Sequence, residues 1–144
     1  AASSLIQRND TSYIITRYNE DQNYINPKPD ISFTTVSNIT ATGGTSWPEI
    51  EKYAFIKSIK TNLNKKEIII TGTKTRSNQV LLLFFNAKTG SLETSRYFGS
   101  TYPVNLASVI PTSEGGLAIL TQTFVAGRFP RIQLYKIPPE KLEF

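Results

Sequence analysis

The chain contains no cysteine, no histidine and no methionine, and only one tryptophan in 144 residues. Without cysteine there is no disulfide, no thiolate metal site and no cysteine nucleophile. Without histidine there is no imidazole base, so a Ser-His-Asp arrangement is excluded however many serines and threonines are present. Long apolar runs are also missing. The longest, Val80 to Phe85, has six residues, against the roughly 20 a helix needs to cross a bilayer. The opening Ala1-Ala2-Ser3-Ser4 has neither an initiator methionine nor a basic n-region, and we expect a mature or trimmed product or one segment of a longer chain. The glycine pairs Gly43-Gly44 and Gly115-Gly116 match neither phosphate-binding pattern, G-x-x-x-x-G-K-[ST] or G-x-G-x-x-G, and are read as turns.

What is present suits one folded unit with a sizeable core. Hydrophobic residues make up 39% and charged residues 19%, with 15 Phe and Tyr together, a composition outside the disordered range. The net charge of +5 is unevenly spread. Residues 1–51 hold 3 basic and 6 acidic residues, 52–96 hold 9 and 2, and 97–144 hold 4 and 3. The middle third is therefore basic.

Hydrophobic alternation sets out strands and almost no helix. Leu5-Ile6 and Tyr13 to Tyr18 read as two strands around a polar turn, and Ile31 to Val36 as a third, half-buried one. Asn19 to Asp30, polar and carrying Pro27 and Pro29, reads as a long connection unfit for a central strand. Glu49 to Lys57 is expected to form at most a brief helical turn. Phe55 to Lys60 is the next strand, with a polar turn from Thr61 to Lys66. Ile68-Ile69-Ile70 and Val80 to Phe85 suit strands buried on both faces. Asn86 to Gly90 has the form of a type I turn closed by a left-handed glycine, and Leu92 to Phe98 is polar enough for an edge. From Ala107 the pattern is strand, Gly115-Gly116 turn, strand to Val125, loop, and strand from Arg131 to Ile137. The glycine pair is expected to close a tight two-residue hairpin.

Three segments share this plan. Ser58-Ile59-Lys60-Thr61 aligns with Val109-Ile110-Pro111-Thr112 and with Leu5-Ile6-Gln7-Arg8. After each turn, Ile68-Ile69-Ile70-Thr71 aligns with Ala118-Ile119-Leu120-Thr121 and Tyr13-Ile14-Ile15-Thr16, at offsets of 53 and 51 residues from Arg8 to Thr61 to Thr112. A period on the order of 40–50 residues with about four strands each is that of propeller blades. The expected architecture is all-β: about three propeller-type blades of antiparallel four-stranded sheet, near 1–53, 54–103 and 104–144, in a partial or open array. Three blades do not close a ring, so a second copy or a protein partner is expected to complete the array.

The pieces Ala107 to Thr123 (ASVIPTSEGGLAILTQT) and Ile69 to Gly90 (IITGTKTRSNQVLLLFFNAKTG) resemble blades of bacterial β-propeller repeat proteins of the cell surface, with Bacteroidetes-like repeats. The resemblance implies a fold and a secreted or surface-attached, extracellular setting in a bacterial outer envelope. It carries no catalytic residues.

Candidates for chemistry are few. Asp10, Glu20, Asp21 and Asp30 are loop acids, and Glu49 and Glu51 flank Ile50; a glycosidase needs two carboxylates across one cleft. Asp21-Gln22-Asn23 with Asn26 lacks the glycine of a calcium loop. The basic residues of the middle third fall in turns or alternate with apolar strand positions, which favours a solvated surface over a nucleic-acid groove. Aromatic loop residues Trp47, Tyr53, Tyr97, Tyr102 and Phe129 are the candidate ligand contacts, Trp47 foremost, because a ring can stack on a sugar's apolar face. No catalytic residue, metal site or cofactor is expected. The expected function is a non-catalytic binding or scaffolding module that contacts protein or glycan through blade loops. The alternatives are an accessory domain of a glycan-active enzyme and a basic nucleic-acid-binding module.

Overall fold

The computed structural model describes residues 2–20, 22–26, 44–99, 102–124 and 129–142. The described chain is strand and turn apart from one 3-10 turn, Pro139–Lys141. The strands are β1 Ala2–Gln7, β2 Tyr13–Asn19, β3 Gln22–Asn26, β4 Thr45–Trp47, β5 Lys57–Leu63, β6 Lys66–Lys74, β7 Val80–Asn86, β8 Leu92–Phe98, β9 Val104–Pro111, β10 Leu117–Phe124 and β11 Pro130–Ile137. They form three antiparallel sheets in sequence order: β1-β2-β3-β4, β5-β6-β7-β8 and β9-β10-β11. Each sheet lies inside one of the three expected segments. Their first strands stand side by side, β1 against β5 and β5 against β9. The all-β, propeller-type reading holds, with three blades and no closed ring among the described residues. The third blade has three strands there rather than four.

The middle sheet shows why the two apolar runs had to be doubly buried. Successive side chains on a strand point to opposite faces. Ile68, Ile70, Val80, Leu82 and Phe84 therefore pack with Val104, Leu106, Val109, Leu117 and Ile119 of the third sheet. Ile69, Leu81, Leu83 and Phe85 face the other way and pack with Ile14, Ile25 and Ile50. Each fully buried aliphatic side chain contributes about 1.5–3 kcal/mol relative to exposure, so this sandwich is the main source of stability. Gly72 lets the sheets approach: a Cβ there would lie 2.6 Å from Leu106 Cδ2. At the opposite end, the buried Arg8 side chain donates to Ala87 O at 2.9 Å, and Lys60 Nζ donates to Arg8 O at 3.0 Å. These bonds tie the first sheet to the second.

Turn chemistry explains the registers, and in several places it departs from expectation. The β5–β6 strands run on to Leu63, so the expected Thr61–Lys66 turn shrinks to Asn64-Lys65, both at positive φ (49° and 65°). Asn86 Oδ1 accepts from the Lys88 and Thr89 amides, and Gly90 sits at φ 73° as expected. Gly115-Gly116 does not close a two-residue hairpin. Pro111 pairs with Leu117 across a five-residue loop, in which only Gly115 has positive φ (89°). Gly116 is needed because a Cβ would stand 2.2 Å from the Ile137 carbonyl oxygen.

The expected polar connection Asn19 to Asp30 contains β3, hydrogen-bonded on both sides within its sheet. Asn19 pairs with Gln22 and the strand ends at Asn26, so its amides are used before Pro27 removes a donor. No helical turn forms between Glu49 and Lys57. Ile50 bridges Thr75 instead, and Tyr53 adopts φ 56°. The expected strand Ile31 to Val36 lies outside the described residues. The repeat itself is exact in face for the second and third sheets, where Thr71 and Thr121 both point at the preceding sheet. Thr16 pairs with Ile25 on the face turned to the following sheet, so the second strand of the first segment is offset by one.

Candidate binding surface

An antiparallel meander gathers alternate connections at one end. The ends of β4, β6, β8 and β10 and the starts of β5, β7, β9 and β11 share one end of the three sheets, and all five expected aromatic contacts fall there. They do not form one cluster. Trp47 ends β4 and is half-buried against the core around Ile14 and Ile50. Tyr53 is 75% exposed, its left-handed backbone turning the ring outward, and it meets Tyr18 at 4.6 Å between centroids and 48°. Tyr97, on edge strand β8, donates to Glu49 Oε2 at 2.8 Å. That bond, aided by partial burial and the negative charge of Glu49, raises the phenol above its ordinary value of 10.0. Tyr102 is half-exposed, and Phe129, just before β11, is 81% exposed.

The linker from Trp47 to Ile56 builds the floor of this end. Ile50, fully buried, anchors it, while Glu51 N donates to Lys74 O at 2.9 Å and Arg76 N to Glu49 O at 2.8 Å. Beside it lies a cavity of about 340 Å³ lined by Glu51, Tyr53, Phe55, Lys74, Asn105 and Leu106. Two exposed rings stand at its edge, Tyr53 and Phe55, with a Glu51–Lys74 ion pair at 3.6 Å. A second cavity of about 300 Å³ at the same end includes Tyr102, Thr123, Arg131 and Gln133. Phe55, Asn105 and the Glu51–Lys74 pair were missed in the sequence because Phe55 was placed inside a strand that begins only at Lys57. The signal available was the bare fact of an aromatic next to Tyr53 before a polar-alternating run.

The opposite end is basic and polar. A cavity of about 350 Å³ there is lined by Asn62, Lys65, Lys66, Glu67, Asn86 and Lys88. Much of the remaining positive charge of the middle third has intramolecular partners. Lys60 pairs with Glu67 at 3.1 Å, Arg76 Nε donates to Pro48 O at 2.8 Å, and Arg96 donates to Lys141 O.

The carboxylates do not assemble. Glu49 holds Tyr97 and Glu51 holds Lys74, while Asp10 and Glu20 belong to other turns of the first sheet. Gln22, Asn23 and Asn26 lie in β3 rather than in a calcium loop, and Asp21 and Asp30 lie outside the described residues. Among the described residues no three His, Cys, Asp or Glu side chains converge. Comparison with protein-family models, curated proteins and solved structures finds no match for this chain.

Proposed function

We propose that this chain is a non-catalytic binding module of a bacterial cell-surface protein, engaging glycan or protein through the connections at the aromatic end of its blades. The observation that carries the reading is the Tyr53 cavity. Tyr53 and Phe55 present apolar rings to solvent, and Asn105, Glu51 and Lys74 supply donors and acceptors beside them. A few convergent polar groups around apolar rings are what a sugar requires, since its C–H face stacks and its hydroxyls hydrogen-bond. The two-sided packing of the middle sheet supports a rigid scaffold behind these loops. The extracellular setting rests on the resemblance of residues 69–90 and 107–123 to surface blade repeats.

The test is equilibrium binding of the chain to a panel of bacterial surface glycans, with Tyr53→Ala and Trp47→Ala in parallel. Wild type is expected to bind at least one glycan, with a loss of about tenfold or more in Tyr53→Ala, the size expected for a stacked aromatic. Trp47→Ala is expected to act mainly on stability, because that ring packs against the core. Turnover of a glycan by the chain, or binding untouched by Tyr53→Ala, overturns the reading.

A further inference from the structure

The end of the array opposite the aromatic rings gathers cations on adjacent turns. There the β5–β6 and β7–β8 turns stand side by side, joined by Ala87 N donating to Glu67 O at 2.9 Å. The cavity of about 350 Å³ at these turns presents Lys65, Lys66 and Lys88 with Asn62 and Asn86, and one carboxylate, Glu67. Glu67 is already engaged by Lys60 at 3.1 Å, and Glu93 nearby accepts from Asn86 Nδ2 at 3.0 Å. Lys65 and Lys88 are exposed and have no ion-pair partner among the described residues.

Turn chemistry fixes where these charges sit. Asn64 and Lys65 form a two-residue connection in the left-handed region. The β7–β8 turn is held by Asn86 Oδ1, which accepts from the Lys88 and Thr89 amides. Against the backbone of that same turn lies a further cation. Arg8 is only 7% exposed, and its Nη1 donates to Ala87 O and Lys88 O, both neutral. Its Nε has no partner, and no carboxylate among the described residues reaches the guanidinium. Arg8 does not line the cavity and acts through its field. A buried charge without a counter-ion is costly, and an anion held at the adjoining turn lowers that cost.

Two features select the class of anion. Three ammoniums against one carboxylate leave the lining with an excess of two positive charges. That matches the roughly −1.5 to −2 carried by a phosphate monoester at neutral pH, and lysines are point charges without the planar fork that suits a carboxylate. No aromatic ring lines the cavity among the described residues, so the stacking platform used for the bases of a nucleic acid is absent here.

We propose that the cavity at the β5–β6 and β7–β8 turns binds a phosphate monoester, with Lys65, Lys66 and Lys88 holding the phosphate. The site lies at the far end from the Tyr53 cavity and stands whether or not the glycan reading holds. Its lysines are open to water, so the expected dissociation constant is on the order of 1 mM at low salt and rises with ionic strength.

Titration of the full 144-residue chain with glucose 6-phosphate, inorganic phosphate and glucose, followed by amide chemical shifts at matched ionic strength, tests this. Glucose 6-phosphate is expected to give saturable shifts at residues 64–67 and 86–90 by about 10 mM, and glucose none at these turns. Inorganic phosphate acting equally would show that the phosphate alone is read; a weaker response would show that the sugar adds to it. The double variant Lys65→Gln with Lys88→Gln is expected to weaken binding by at least about fivefold. Lys57→Gln, which removes the same charge from the aromatic end, is expected to leave it unchanged. No saturable shift at these turns, the same shifts with chloride, or binding indifferent to the double variant overturns the proposal. So does a response to a short oligonucleotide but to neither phosphate compound.

Discussion

The strand pairs β6–β7 and β10–β11 hold large apolar residues at matching positions and meet opposite fates. Leu82 and Phe84 are sealed between two sheets, whereas Ile132 and Leu134, at the corresponding register, are among the most exposed large apolar residues. Local sequence does not separate them, since both are β-prone apolar positions on an alternating strand. What separates them is the neighbour. Among the described residues the second sheet has a sheet on each side, and the third has one. Apolar alternation in a blade therefore specifies a packing surface, and only the array decides whether that surface is filled.

The largest expected difference comes from truncating the two matched positions. Phe84→Ala should cost about 3–5 kcal/mol, through lost transfer energy and a cavity that cannot collapse between two sheets. Leu134→Ala should change the stability of the dilute monomer by no more than about 0.5 kcal/mol, as at other surface sites. Urea denaturation at low protein concentration checks both. Similar losses would mean that the third sheet is covered in solution even as a monomer, and the contrast between the sheets would fail.

A smaller difference concerns the approach of the sheets. At Gly72 a methyl group meets the tips of Leu106 and Leu82, at 2.6 and 3.0 Å. These flexible ends can shift, so Gly72→Ala should cost about 1–3 kcal/mol, with the loss read as a lower urea midpoint. Gln122 occupies the matching register on the open face, and Gln122→Ala should cost no more than about 0.5 kcal/mol. A neutral Gly72→Ala would mean that the second and third sheets are packed more loosely than their register implies.

Much of this architecture was legible because periodicity carries it. Ile68-Ile69-Ile70 and Val80 to Phe85 leave no polar alternate, so the sequence itself requires two covering layers. Asn86-Ala87-Lys88-Thr89-Gly90 named its own turn through an Asx side chain and a left-handed glycine. Face assignment was less legible where a single residue decides it. Thr16 follows an Ile-Ile pair much as Thr71 and Thr121 follow apolar residues, yet it points to the other side, because strand register depends on partners distant in sequence. Gly115-Gly116 looked like a short hairpin because the reason for Gly116, the carbonyl of Ile137, lies on another strand. The aromatic end was only partly legible for the same reason. Every candidate ring fell at that end, but exposure is a tertiary property, and Trp47 packs inward while Phe55 and Tyr53 face solvent.

The smallest expected effect separates the two edge strands. Edge strand β8 is tethered by a hydrogen bond from Tyr97 to Glu49, while β11 carries the exposed Lys136–Glu114 ion pair and a ring contact from Tyr135 to Phe98 at 5.7 Å. Because the hydrogen bond to Glu49 favours the neutral phenol, the folded pKa of Tyr97 lies above the ordinary 10.0. The stabilisation is therefore complete below pH 10.0 and is lost as pH rises through the folded value. The ring is nearly half exposed, so water screens the interaction and the effect on stability is slight. Spectrophotometric titration of tyrosinate should show a component above 10.0 that is diminished in Tyr97→Phe. In Glu49→Gln that component should move down toward 10.0, since the amide can still accept but no longer carries charge. An alkaline titration unchanged in Glu49→Gln would show that Glu49 does not tether β8 in solution, and this distinction between the two edges would go.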